Sequence, residues 1–132
     1  MSVTDPLADA FVKIKNAYAV KKDNVDIKSS KILLNIVNIL KREKFIQDYK
    51  SIEDNKQGLI RVYLKYSDRR KPALEKIKRI SKSGCRVYVD KDNIPNVMQG
   101  IGMAILTTSK GVLSDVEARE RNIGGEVICH IY

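Results

Sequence analysis

Cysteine and histidine are scarce in this 132-residue chain, which has two of the first, Cys85 and Cys129, and one of the second, His130. Two cysteines cannot build a disulfide framework, and a single histidine cannot support a histidine-based metal cage. Neither thiol has a CxxC partner, so both are expected to be ordinary buried thiols. No apolar run approaches the roughly 20 residues that a membrane-spanning helix needs. The opening Met1-Ser2-Val3-Thr4-Asp5-Pro6 lacks the basic-then-apolar pattern of a secretory signal. What is present suits a folded chain: 43% hydrophobic and 31% charged residues supply a real core and are too apolar for disorder. The length fits one compact domain or two small halves. A soluble, cytosolic, basic globular protein is expected, with no membrane partner.

Lys and Arg total 25 against 16 Asp and Glu, a formal charge of +9. Cutting at the polar segment 67–72 leaves similar halves, +5 and +4. Within the second half the charge is uneven. Residues 69–86 carry eight basic side chains against Glu75 alone, whereas residues 87–132 hold four basic and six acidic. So cationic a stretch repels itself unless an anion neutralises it, and a polyanionic backbone is the usual partner. A solvated lysine-rich face is the other reading.

Asp5-Pro6 reads as an N-cap followed by proline at the first helical position. Leu7, Phe11, Ile14 and Tyr18 then recur on one helical face, with Lys21 and Lys22 at its C-terminal end. Residues 25–27 alternate as a short strand. Ser29-Ser30 caps a second helix whose buried stripe is Leu33, Ile36, Val37 and Leu40. Residues 45–52 and 59–66 form two strands around a loop at 53–58, which makes the first half, residues 1–66, α-β-α-β-β. The boundary is placed at 67–72. Residues 73–81 fit a helix by Leu74, Ile77 and Ile80. After them come strands at 85–89, 102–108, 112–113 and 126–132, with a capping box at Ser114 and Glu117 opening a short helix to about Arg121. The second half, residues 67–132, is therefore mainly β with short helices, and the fold class is α+β.

No catalytic constellation survives inspection. His130 alternates with apolar neighbours in the terminal strand and reads as structural rather than as a base. Gly100-Ile101-Gly102 opens a strand, not a helix, and Ser109-Lys110-Gly111 lacks the upstream glycine spacing of a phosphate loop. What remains is Thr107-Thr108-Ser109-Lys110-Gly111, a run of side-chain donors ending in glycine. Hydroxyls can contact phosphates, ribose 2′-OH groups and base edges, and a glycine lets backbone come close to a ligand. On spacing alone an ordinary turn fits as well.

Taken in order, Asp5-Pro6-Leu7-Ala8-Asp9, Ser29-Ser30-Lys31, Gly84-Cys85-Arg86-Val87-Tyr88, Thr108-Ser109-Lys110-Gly111-Val112, Ala118-Arg119 and Gly124-Gly125-Glu126-Val127-Ile128-Cys129 resemble one family. It is the bacterial small-subunit ribosomal protein family numbered eight, and the resemblance runs essentially end to end. It implies a two-domain α+β protein, not an enzyme, that binds an irregular bulged helix in the central domain of 16S rRNA and helps assemble the subunit platform. By the resemblance the main RNA contacts are Thr107, Thr108, Ser109, Lys110 and Gly111, with Gly124, Gly125 and Glu126 beside them. Arg86 and Tyr88 match a second contact segment. Asp5, Pro6, Ser30, Lys31 and Lys56 are implied secondary contacts. The family has a strand where residues 73–81 read as a helix, and the strand is preferred there. Thr107 stands where the pattern commonly has Ser, and Ser83 and Cys85 replace a commoner Pro and a larger, often basic residue.

The implied partners are 16S rRNA, neighbouring small-subunit proteins and, as a separate feedback role, the protein's own messenger RNA. No cofactor, metal or obligate homo-oligomer is expected, and the location is the cytoplasmic small ribosomal subunit. Lys and Arg would neutralise phosphates while the hydroxyl run selects. Tyr88 would offer an aromatic face to a sugar or base, or serve as a strand-surface tyrosine. Glu126 would accept from base amino groups or hold Lys110 or Arg86. A small RNA-processing enzyme and a protein–protein adaptor are the rival readings.

Overall fold

Pro6 has no N–H to lose at a helix start, and α1 runs Pro6–Ala19 in the computed structural model, which describes residues 6–132. The expected cap Asp5 lies outside the described residues. Phe11, Ile14 and Tyr18 of α1 are buried. A short strand β1 (Asn24–Lys28) leads to α2 (Lys31–Arg42), where Ser30 accepts from the Leu33 N–H as N-cap. Leu33, Ile36, Val37, Ile39 and Leu40 of α2 are buried, each worth about 1.5–3 kcal/mol of apolar transfer. Strands β2 (Asp48–Ile52) and β3 (Leu59–Tyr63) complete an antiparallel sheet in the order β1-β3-β2. Ile60 and Val62 of β3 are buried, while Arg61 pairs with Asp26 across the strands at 2.9 Å. This is the α-β-α-β-β order expected from the sequence.

Tyr18 binds this unit together. Its hydroxyl donates to the Phe45 carbonyl at 2.7 Å and accepts from the Lys65 N–H at 3.1 Å, and burial pushes its pKa up to about 12. Tyr66 packs edge-on against it and donates to the Lys22 carbonyl. The polar segment after Tyr66 folds back on the same unit, with Tyr66 bridged to Pro72 and the Ala73 N–H bonded to the Lys65 carbonyl. The first compact unit accordingly ends at Glu75, later than the cut at 66/67, and the second is Lys76–Tyr132.

In the second unit no helix forms at 73–81; β4 (Ile77–Arg79) pairs with β8 (Gly125–Ile131) instead. Backbone bonds to β8 outweigh local helix propensity here. The sheet runs β4-β8-β6-β7, with β6 (Met103–Thr108), β7 (Gly111–Ser114) and a two-residue strand β5 (Tyr88–Val89) also on β8. A tight turn, in which Lys82 and Cys85 exchange backbone bonds, lets β4 hand its edge of β8 over to β5. Cys85 is thereby exposed, against expectation, and only Cys129 is buried. The capping box is formed: Ser114 and Glu117 bond reciprocally and open α3 (Asp115–Glu120).

Two irregularities shape this sheet. Between Ile105 and Leu106 the register with β8 slips, so that β8 carries one extra residue, Ile128. The Ile128 carbonyl accepts from both the Ile80 N–H at 3.0 Å and the Arg79 guanidinium at 2.9 Å, which fastens the bulge. A short 3₁₀ turn, Val97–Gly100, places Met98 and Gln99 at positive φ. Arg119 ties that loop to α3, donating to the Pro95 carbonyl and to the buried Asp115 carboxylate.

Among the described residues the three α-helices end alike. Lys21, Lys44 and Asn122 adopt positive φ just past α1, α2 and α3. At each, paired backbone bonds close the last turn, as in Lys22 N–H to Ala17 O with Lys21 N–H to Tyr18 O.

Candidate nucleic-acid interface

Cross-strand pairing assembles the second unit's candidate residues from the middle of the sheet outward. Glu126 on β8 lies opposite Thr107 on β6 and opposite Tyr88 on β5. Directly paired residues of a sheet share a face, so Thr107, Glu126 and Tyr88 form one row across three strands. Tyr88 is 68% exposed, and an exposed ring at the edge of a row is suited to stacking.

The Glu126 carboxylate is held from behind. Its Oε2 accepts from the hydroxyl of fully buried Ser81 and from Arg86 Nη1 at 3.0 Å. Those donors, the Ser81 hydroxyl first, hold its pKa below the usual carboxylate range against the opposing effect of burial, and the nearby Arg79 charge acts in the same sense. The carboxylate therefore holds Arg86, one of the two roles foreseen, and no pairing joins it to Lys110.

The hydroxyl run turns the corner between β6 and β7. Thr108 donates to the Gly111 carbonyl at 2.8 Å and accepts from the Lys110 N–H at 3.1 Å. That hydroxyl is thus spent on the turn itself, which Gly111 closes at φ +100. Thr107 is half-buried, and Ser109 and Lys110 stand exposed at the tip.

Gly124 and Gly125 have a packing role of their own. A Cβ on Gly124 would strike the Val89 carbonyl and lie 2.7 Å from Asp90 Cα. One on Gly125 would strike the Thr107 carbonyl and lie 2.9 Å from Thr108 Cγ2. The glycine pair lets β5 and β6 close on β8 from either side.

The basic segment 69–86 is divided between the two units. Arg69, Arg70 and Lys71 belong to the first unit, and Lys76, Lys78, Arg79, Lys82 and Arg86 to the second. Counting Lys and Arg against Asp and Glu, the first unit holds 16 to 10 and the second 9 to 6, net +6 and +3. In the first unit, Ser30 spends its side-chain oxygen on the helix cap and Lys31 is exposed beside it. The loop of Lys56 is brought close to them, since the Ser29 N–H bonds to the Gly58 carbonyl at 3.0 Å. Pro6 is exposed at the start of α1, and Asp5 lies outside the described residues.

Ser81 and Arg79 escape a reading of the sequence. A serine after an isoleucine carries no signal, and only the pairing of β4 with β8 reveals what these side chains touch. His130 is half-buried with Nε2 buried and without a hydrogen-bond partner, and burial, then the Lys78 charge, lower its pKa. Among the described residues no group of three or more His, Cys, Asp and Glu could hold a metal ion, and no helix is long and apolar enough to cross a membrane.

The sequence profile described as ribosomal protein S8 matches residues 5–132. The small ribosomal subunit protein uS8 of Geotalea uraniireducens (strain Rf4) is 52% identical over 132 residues, covering 100% of both chains. That of Petrotoga mobilis (strain DSM 10674 / SJ95) is 52% identical over 98% of each chain. That of Natranaerobius thermophilus (strain ATCC BAA-1301 / DSM 18059 / JW/NM-WN-LF) is 49% identical over the full length of both.

Proposed function

The chain belongs to the ribosomal protein S8 family, and on that premise we propose that this structural protein of the small ribosomal subunit recognises an irregular, bulged helix in the central domain of 16S rRNA. The row Thr107-Glu126-Tyr88 is the observation that carries this reading. It sets a hydroxyl, an anchored carboxylate and an exposed ring side by side on rigid backbone. Splayed bases and 2′-OH groups of irregular RNA need such a set of short donors, acceptors and an aromatic face. A fully paired A-form duplex keeps its major-groove edges out of reach and is read mainly through phosphate and 2′-OH across its minor groove.

The two units divide the work. The first, with net +6, supplies most of the phosphate neutralisation, with Lys31 at the start of α2 and Lys56 on the adjoining loop as contacts. The second supplies selection through the row and the Ser109-Lys110 tip. Bound early, the protein fixes the geometry of that RNA for neighbouring subunit proteins. A transcript that mimics the ribosomal site would occupy the same row, and competition between the two RNAs measures that role.

The test is a salt titration of affinity for a bulged central-domain RNA fragment beside a paired duplex of equal length. Tight binding to the bulged RNA, persisting at moderate salt, is expected. Equal and equally salt-steep binding to both would reduce the interaction to the +9 charge and overturn the reading.

A further inference from the structure

We infer that Ser81 is a positioning residue for RNA recognition, a buried hydroxyl that fixes one oxygen of Glu126 so that the other is presented to the RNA. The inference rests on the proposed role of the Thr107-Glu126-Tyr88 row.

Ser81 is 0% exposed and touches no solvent-borne ligand itself. A serine hydroxyl has one proton to give and two lone pairs to receive. The Val87 N–H donates into Ser81 Oγ at 3.2 Å, and the proton of that hydroxyl goes to Glu126 Oε2. The same oxygen also receives Arg86 Nη1 at 3.0 Å. Both donors fall on Oε2, and Oε1 accepts no hydrogen bond among the described residues.

A carboxylate held by one oxygen from two directions cannot swing, and its second oxygen then points consistently. Its side chain is 16% exposed and lies between Thr107 and Tyr88. The groups it suits are hydrogen-bond donors of RNA, an exocyclic amino group or a 2′-hydroxyl. Arg86 alone could not hold this geometry, because its side chain is 51% exposed and phosphate competes for it. Ser81 has no such rival, since it is buried and its backbone N–H bonds to the Val127 carbonyl at 3.1 Å. The backbone thus places the hydroxyl, the hydroxyl places the carboxylate, and the carboxylate places both Arg86 and the free acceptor.

Binding of the full-length protein, Ser81→Ala, Ser81→Cys, Glu126→Ala and the Ser81→Ala/Glu126→Ala double variant to bulged RNA and paired duplex tests this, with folding checked by circular dichroism. Ser81→Ala is expected to weaken binding to the bulged RNA about tenfold, the scale of one charge-assisted hydrogen bond, and to leave duplex binding unchanged. Ser81→Cys, similar in size but a weak donor, should fall between, and it carries the test if Ser81→Ala does not fold. In the Glu126→Ala background the Ser81→Ala effect should vanish. Binding to the bulged RNA by Ser81→Ala should also begin to fail at a higher pH than in the parent, because Glu126 loses its main donor. A merely structural serine would weaken both RNAs in proportion, keep its effect without Glu126 and leave the pH profile in place; any of these overturns the inference. If the parent protein itself fails to prefer the bulged RNA, the RNA reading of the row fails first, and the inference falls with it.

Discussion

Gly125 and the Thr107 carbonyl compete for one volume: a Cβ on the first would sit on the oxygen of the second. Backbone carbonyls in a sheet cannot step aside as a flexible side chain can, so Gly125→Ala must push β6 away from β8. Overpacking of this kind costs about 1–3 kcal/mol. We expect Gly125→Ala to lower the unfolding free energy from urea titration by that amount and to abolish preference for bulged RNA. Gly84→Ala is the control, since nothing lies within 4 Å of its added Cβ, and it should change neither.

Selection and attraction should separate by residue. Ser109→Ala removes an exposed hydroxyl from the hairpin tip and is expected to weaken bulged RNA by about 1–3 kcal/mol with little effect on duplex. Lys76→Ala removes a point charge, so it should weaken both RNAs alike and reduce the salt slope by about one. Equal losses on both RNAs from both variants would remove the tip from the selecting surface.

Acid should destabilise the protein in two steps. The His130 pKa is lowered from 6.5 by burial and then by Lys78, so the folded chain binds fewer protons than the unfolded one. Stability is therefore lost as pH falls from 6.5 toward the lowered folded value. The Glu126 pKa is lowered from 4.5, chiefly by the Ser81 hydroxyl. Its contribution is present above 4.5 and disappears as pH falls through the folded value. Urea unfolding across the acid range should show His130→Gln flattening the upper step and Glu126→Gln the lower. A slope below 6.5 unchanged in His130→Gln would refute the first assignment.

Helix ends offer a stabilising change. Lys44 sits at φ 65 where α2 stops, a conformation that costs a non-glycine residue roughly 1–2 kcal/mol. Lys44→Gly relieves that strain while keeping the closing backbone bonds, although the unfolded glycine gains entropy. A net gain of about 0.5–1 kcal/mol is expected, read as a raised Tm. A lowered Tm would mean that the lysine side chain contributes more than its backbone costs.

Much of the fold was legible because the strongest signals were local. Ser30 caps α2, the Ser114–Glu117 box opens α3, and the stripe Leu33-Ile36-Val37-Leu40 is buried as its spacing predicts. Residues 73–81 misled because Leu74, Ile77 and Ile80 keep helical spacing, while the bonds that make a strand come from residues far along the chain. Helix ends lacked their usual glycine, which left lysine and asparagine to take the left-handed position unannounced. At the candidate site, Thr107 to Gly111 and Gly124 to Glu126 were visible as chemistry. That they meet across β6 and β8, that Thr108 spends its hydroxyl on the turn, and that Ser81 stands behind Glu126 are matters of pairing. Exposed Cys85 shows the same gap, because a thiol's burial follows from the turn that carries it.

The bulge at Ile128 absorbs one extra residue of β8 without turning Glu126 to the other side. Cys129 pairs with Ile105 and Glu126 with Thr107, so both point to one side of the sheet although they are an odd number of positions apart along β8. In an unbroken strand an odd separation means opposite sides. Deleting Ile128 would leave Cys129 and Glu126 an even number of positions apart and each still opposite its partner. Glu126 would keep its side, but the Ile80 N–H and the Arg79 guanidinium would lose the carbonyl they share. Chain length at this point thus serves the anchorage of β4 rather than the aim of the carboxylate. One codon lost from the bulge would spare the direction of the carboxylate and unfasten β4 from β8.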